Sequence, residues 1–221
     1  MVRGMNTVID RPWTTDAFLA WEDRREGKYE FDGRDIVPMT GGTLAHQRMV
    51  FKLCVVLMRL LEGHALTAAR EMRPRIGARV RYPDVAVFAG PLDQTTRTLI
   101  DAQAIFEVLS DDTATTDRVD KLIDYAAVPS LRCYVLLEQT AVAATLFQRE
   151  PDGVWIASAH TSGDLTLPGL DIAMPLAVPY RGCRSPPDVR DRQRPSRLVS
   201  AADPSAHPTA VRFSSPRLPV G

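Results

Sequence analysis

The sequence predicts an α/β (α+β) fold, a mixed β-sheet with helices on its faces and a C-terminal β-meander. Apolar runs of strand length recur after residue 80, and two stretches near residues 44–62 and 117–127 carry helical periodicity. Their order along the chain is helix, hairpin, helix, several strands, helix and meander, which suits one sheet covered by helices.

Taken in order, Trp13-Thr14-Thr15-Asp16 opens a helix reaching Trp21, with Thr14 or Thr15 as its N-cap. KYEFDGRDIVPM gives two short strands around Asp32-Gly33, a two-residue hairpin signal that sets Glu30 opposite Asp35. Carboxylates so placed repel unless a cation joins them or the register differs. Gly41-Gly42 leads into a long helix over 44–62, closed by Gly63. A basic irregular stretch follows, then strands at 85–88 and 104–109. Thr115 or Thr116 caps a helix over 117–127, which Pro129 ends. LRCYVLLE and AVAATLFQ form a hairpin turning at Gln139-Thr140; VWIASA and a segment over 165–174 complete the meander. The folded domain is expected over residues 10–180. Residues 181–221 contain seven prolines and only scattered apolar positions, too few to offset ordering entropy, so a disordered Pro/Arg-rich tail is expected there.

With 45% hydrophobic and 24% charged residues, the 221-residue chain has the composition of an ordinary soluble globular protein. Cys54, Cys133 and Cys183 are far apart and form no C-x-x-C pair, which argues against a disulfide framework or zinc site and fits a reducing cytoplasm. No signal core opens the sequence and no apolar run reaches about 18 residues, so a cytoplasmic protein without membrane contact is expected. The net charge of zero hides an asymmetry. Residues 181–221 hold eight Arg against three Asp, which leaves 19 basic and 24 acidic residues, of 27 each, on the rest. A basic tail on an acidic body suits a polyanion partner, and equally a solvated extension.

The stretch IFEVLSDDT poses the chemical question, because Glu107 stands inside an apolar run. A buried, unpaired carboxylate costs several kcal/mol, so a cation, proton or metal should compensate it. Asp84 lies at the mouth of the strand in YPDVAVF, 23 residues earlier, and Lys121 stands on a helix 14 residues later. Two carboxylates on neighbouring strand ends suit a hard cation such as Mg²⁺. A lysine beside them can hold phosphate or activate water, which together suits metal-assisted phosphodiester hydrolysis. The bland alternative makes Asp84 a turn cap, Glu107 the partner of an arginine and Lys121 a solvated helix residue. No Walker A, G-x-S-x-G or H-E-x-x-H pattern offers another chemistry.

His46 falls on the apolar side of the long helix, between Val50, Leu53 and Leu57, as a core, capping or site-lining residue. Tyr125, one turn after Lys121, either packs on the sheet or orients the amine. Asp117 suits the start of its helix. Arg70, Arg73, Arg75, Arg79 and Arg81 precede Asp84 and read either as phosphate contacts or as a solvated edge strand.

YEFDGRDIVPMTGGTLAHQRM, RYPDVAVF and FEVLSDDTATTDRVDKLIDYAAVPSLRCYVLL resemble the Uma-two family of restriction endonucleases, a branch of the PD-(D/E)XK nuclease superfamily. The likeness covers about residues 15–180. It implies a restriction-endonuclease-like core, a mixed sheet of about four or five strands flanked by helices. It also implies a Mg²⁺- or Mn²⁺-dependent endonuclease acting on DNA, with a homodimer as the form suited to cutting two strands. Asp84 matches the motif aspartate and Glu107 the second acidic residue. Leu109 occupies the usual lysine position, and Lys121 matches the lysine moved to the next helix. Glu30 matches the upstream glutamate and His46 the histidine opening the long helix, while the main-chain carbonyl of Val108 becomes a further metal ligand by analogy. Asp111-Asp112 depart from the family pattern, and Gly33 sits one place early. The acidic body and Asp111-Asp112 also suit a non-cleaving nucleic-acid-binding or regulatory module that keeps the fold.

Overall fold

The computed structural model of the protein describes residues 12–39, 41–90, 92–109, 115–182 and 211–214. Helix α1 (Thr15–Glu22) starts where expected, with the Thr14 hydroxyl accepting from the Ala17 N–H at 3.1 Å. Strands β1 (Tyr29–Phe31) and β2 (Ile36–Pro38) pair antiparallel with Glu30 opposite Val37. The turn therefore lies one place later than expected, at Gly33-Arg34, with the Asp32 N–H donating to the Asp35 carbonyl at 3.3 Å. The Asp32 carboxylate accepts from the N–H groups of Arg34 at 2.8 Å and Asp35 at 2.7 Å, which stabilises the shifted turn, and the shift removes the Glu30–Asp35 apposition.

Helix α2 (Leu44–Leu60) opens on the Thr43 cap. It ends two residues short of the expected limit, and Gly63 follows in the left-handed region at φ 83°. The stretch expected to be irregular contains three strands, β3 (Leu66–Arg70), β4 (Arg73–Ile76) and β5 (Arg79–Val80). β6 (Val85–Ala89), β7 (Thr98–Leu99) and β8 (Ala102–Leu109) follow, then α3 (Thr115–Ala126). Next come β9 (Cys133–Glu138), β10 (Ala144–Arg149), β11 (Val154–His160), β12 (Asp164–Leu167), a 3₁₀ turn (Pro168–Leu170), β13 (Ile172–Pro175) and β14 (Val211–Ser214).

The expected mixed sheet is present but larger, with seven strands in the order β14-β11-β10-β9-β8-β6-β3. Only β8 and β9 run parallel within it, and α3 is the connection between them. A second sheet, β2-β1-β5-β4-β7, packs with α1 around Phe18, Phe31 and Val80. β14 pairs with β11 from Val154↔Ser214 to Ala157↔Val211, so those four residues depart from the disorder expected over 181–221. The remainder, 183–210 and 215–221, lies outside the described residues, as do Asp111-Asp112 and the side chains of Asp117 and Arg118. No described helix is long and apolar enough to cross a membrane.

Strand alternation sorts β8 between the two sides of the large sheet. Ala104, Phe106 and Val108 pack with Leu53 and Leu57 of α2, whereas Ile105 and Leu109 pack with Tyr125 of α3. Glu107 shares the parity of Ile105 and Leu109, so the alternation delivers it to the α3 side. Each of the larger aliphatic and Phe side chains among these contributes roughly 1.5–3 kcal/mol on burial, which lets the sheet tolerate one ionisable group among them.

Candidate active site

Glu107 is only 7% exposed, and both its oxygens are engaged from α3. Oε2 lies 3.1 Å from the Lys121 amine, and Oε1 accepts from the Tyr125 hydroxyl at 3.0 Å. Lys121 and Tyr125 stand one turn apart and therefore share a helix face, so one helix closes over the carboxylate with two donors. Burial pushes the Glu107 carboxyl up to about 7; the Asp84 and Glu30 charges add to the rise and Lys121 opposes it. Tyr125 is also raised well above the ordinary phenol, through its own burial and then the Glu107 charge.

Asp84 enters from the start of β6. Its Oδ2 accepts the Val108 N–H at 2.8 Å, a bond that fixes Asp84 to the residue next to Glu107. The same oxygen lies 3.3 Å from His46 Nε2, which is also 3.0 Å from the Val108 carbonyl oxygen. The hydrogen bond to Asp84 holds the His46 pKa above its ordinary value against the opposing effect of burial. His46 thus reaches the site from α2, while Leu53 and Leu57 on the same helix fill the core.

Glu30, on β1, is buried with both oxygens engaged as well. Oε1 accepts the Tyr82 N–H at 3.1 Å, and Oε2 pairs with Arg81 at 3.0 Å. Lys121 approaches Oε1 at 4.0 Å, so Glu30 and Glu107 flank the same amine. Arg81 in turn donates through Nε to Asp124 at 2.8 Å, and Arg79 pairs with Asp124 from outside. Burial alone would lower the Arg81 pKa; the Glu30 and Asp124 carboxylates more than reverse that, and it ends above the ordinary arginine value.

This corrects both readings of the arginine stretch for two of its five members. Arg73 and Arg81 are buried, Arg73 pairing with Glu22 at 2.7 Å and Asp23 at 2.6 Å. They are internal counter-ions, facing neither phosphate nor solvent. Arg75 pairs with Asp16, and Arg70 donates to Gln47. Asp124 is a site-supporting residue that sequence reasoning missed, and for Arg81, singled out as a phosphate contact or a solvated charge, it missed the supporting role. A signal existed for Asp124, which lies three residues after Lys121 and so on its helix face.

Asp84, Glu107, Lys121, Tyr125, His46 and the Val108 carbonyl therefore converge where β6, β8, α2 and α3 meet, with Glu30 behind Lys121. Among the described residues no group of three His, Cys, Asp or Glu side chains is arranged to hold a metal by itself. A Mg²⁺ site does not need one, since this cation takes one or two carboxylates and keeps several waters. The donors here are hard oxygens, and the raised Glu107 pKa marks a spot where positive charge is in demand. The set fits such a cation. A cleft of about 230 Å³ opens beside Asp84 and His46, bounded by Met39, Gln47, Arg70 and Tyr82.

A family model described as "Putative restriction endonuclease" (Uma2) matches residues 15–178. The uncharacterized protein slr1290 of Synechocystis sp. is 29% identical over 172 residues, covering 76% of this chain and 90% of that protein. A second uncharacterized Synechocystis protein, sll1609, is 28% identical over 149 residues, covering 65% of this chain and 84% of its own length. Among solved structures, the crystal structure of a "putative nuclease belonging to DUF820" from Anabaena variabilis superposes with a TM-score of 0.61 at 16% identity. That match covers 77% of this chain and 98% of the other, a likeness of fold.

Proposed function

The chain belongs to the Uma2 family of restriction-endonuclease-like proteins, and from that premise we propose that it is a divalent-metal-dependent endonuclease hydrolysing DNA phosphodiester bonds. The observation that carries the reading is Glu107: a buried carboxylate with a pKa near 7, fixed beside Asp84 through Val108 and capped by Lys121. Asp84, Glu107 and the Val108 carbonyl would hold Mg²⁺ or Mn²⁺, which supplies Lewis-acid polarisation of the phosphate when bound.

The protein's own groups divide the remaining work. Tyr125 fixes one Glu107 oxygen and the Val108 N–H fixes Asp84, so both carboxylates are oriented before substrate arrives. Lys121 carries the positive charge that orients an attacking water and stabilises the charge developing on the phosphoryl oxygens. Glu30 acts from behind: its oxygens are engaged by Tyr82 and Arg81, so its contribution is to help hold the Lys121 ammonium in place. One such site cuts one strand, and a homodimer would serve for two.

A second reading, a non-cleaving nucleic-acid module, draws on a different observation. Both oxygens of Glu107 and of Glu30, and one of Asp84, already have protein partners, which a retired site could retain. Plasmid nicking with Mg²⁺ or Mn²⁺ separates the two. The enzyme reading expects nicking by the wild type that EDTA abolishes and that falls at least a hundredfold in Asp84→Ala and Lys121→Ala. DNA binding with no cleavage under any metal supports the module instead.

A further inference from the structure

We propose that His46 closes the cation position of this site and sets its metal affinity, an inference that rests on the metal-dependent reading above. Nε2 of the ring stands 3.0 Å from the Val108 carbonyl oxygen and 3.3 Å from Asp84 Oδ2. These are two of the three oxygens assigned to the cation. A ring N–H donating to both points into the space between these two oxygens, where a cation bridging them would sit, so ring proton and cation compete for that position.

The ring is seated there by the fold. The Thr43 hydroxyl accepts the His46 backbone N–H at 3.3 Å, which roots the residue in the first turn of α2. The imidazole packs on Gly42, where an added Cβ would meet Nδ1 at 2.6 Å and Cγ at 3.0 Å. Only glycine leaves that space open, whatever its backbone angles.

The other ring nitrogen decides between a blocking ring and a ligating one. Nδ1 is buried and has no hydrogen-bond partner among the described residues. Ligation through Nε2 would require the proton on Nδ1, leaving a buried N–H donor with no acceptor, whereas metal-bound imidazoles normally donate that N–H to a partner. With the proton on Nε2, both oxygens receive a donor and Nδ1 keeps only a bare lone pair. This tautomer follows from the partners on each side. The cleft flanking His46 and Asp84, about 230 Å³, gives the ring a place to turn into when the cation enters. The apparent metal affinity is then the intrinsic one multiplied by the fraction of molecules with the ring turned away.

Isothermal titration of the full chain with Mn²⁺, comparing wild type, His46→Ala, His46→Gln and Asp84→Asn, tests this without reference to activity. Releasing one to two net hydrogen bonds predicts roughly tenfold tighter binding by His46→Ala. His46→Gln, whose amide can donate to the same oxygens, is expected near the wild type, and Asp84→Asn much weaker. Weaker or unchanged binding by His46→Ala overturns the proposal and, if weaker, makes the ring a ligand. Failure of the wild type and every variant to bind Mn²⁺ overturns the metal reading itself and the proposal with it. Should His46→Ala not fold, the wild type answers alone. Titration with diamagnetic Mg²⁺ should shift the His46 ring ¹⁵N resonances and expose its Nε2 proton to solvent exchange. An Nε2 proton still protected at saturating Mg²⁺ contradicts the mechanism.

Discussion

Glu107 concentrates the conflict between fold and function in one side chain. Its folded pKa, about 7, lies above the ordinary carboxyl value of 4.5. Between those two values the native state holds a proton that the unfolded chain has released, so native binding exceeds unfolded binding. Stability attributable to Glu107 therefore falls as pH rises from about 4.5 to about 7, and levels off above. Glu107→Gln, which keeps the shape without the charge, should flatten this part of the profile. Melting temperatures from pH 5 to 8 should fall with pH in the wild type relative to the variant, and parallel curves would contradict the assignment. The same proton competes with metal. Below pH 7 a cation must displace it, so Mn²⁺ affinity should fall about tenfold per pH unit toward pH 5. Titrations at three pH values, with the proton release read from buffers of different ionisation enthalpy, check the sign. The carboxylate was legible in the sequence, because a charge inside an apolar strand demands an explanation. His46 was legible as an apolar-face histidine and, through the resemblance, as a site-lining candidate; its contacts were not, since the atoms it touches on Asp84 and Val108 lie 38 and 62 residues away in the chain.

At the level of elements, the site depends on how α3 is held against β1 and β5. Arg81 joins Glu30 of β1 to Asp124 of α3, one turn from the lysine that serves Glu107. Removing it takes from two buried carboxylates the cation they share, leaving Asp124 to Arg79 at the surface and Glu30 to Lys121 at 4.0 Å. Arg81→Ala should therefore lose about 3–5 kcal/mol in urea unfolding. Arg81→Lys should recover only part, since an ammonium cannot reproduce the two-sided planar contact. A loss below 1 kcal/mol for the alanine variant would show that α3 is held by packing alone. The sequence showed this segment as alternating arginines broken by Pro74 and Gly77, a pattern shared by solvated edge strands and internal counter-ions. Glu22, Glu30 and Asp124 decide between the two, and all are remote in sequence. The hairpin illustrates the same limit in miniature: Asp32-Gly33 marked a turn, but the chain turns one residue later, with Asp32 capping Arg34 and Asp35, and the partner of Glu30 is Val37 in place of Asp35.

Across the whole molecule, periodicity identified α2, α3 and the strands flanking Asp84 and Glu107, because burial writes a clear pattern on long apolar elements. Sheet order left no such trace. The parallel pairing of β8 with β9 forces a crossover, that crossover is α3, and it carries Lys121 and Tyr125 over Glu107. Nor did the sequence show β14, whose four residues pair with β11 from within a proline-rich segment. Position 109, where the resemblance implies a lysine, holds a leucine that packs with Ile105 and Tyr125, and it is Lys121 of the following helix that brings an amine to Glu107.

The cation position is the claim on which all of this converges, and a Mn²⁺-soaked crystal with anomalous diffraction addresses it most directly. The predicted result is one manganese peak within about 2.0–2.6 Å of carboxylate oxygens of both Asp84 and Glu107, with the Val108 carbonyl as a third donor and the His46 ring turned into the cleft. A fully occupied manganese bound elsewhere, with Glu107 still capped by Lys121 and Tyr125 and His46 still on Val108, would contradict the account.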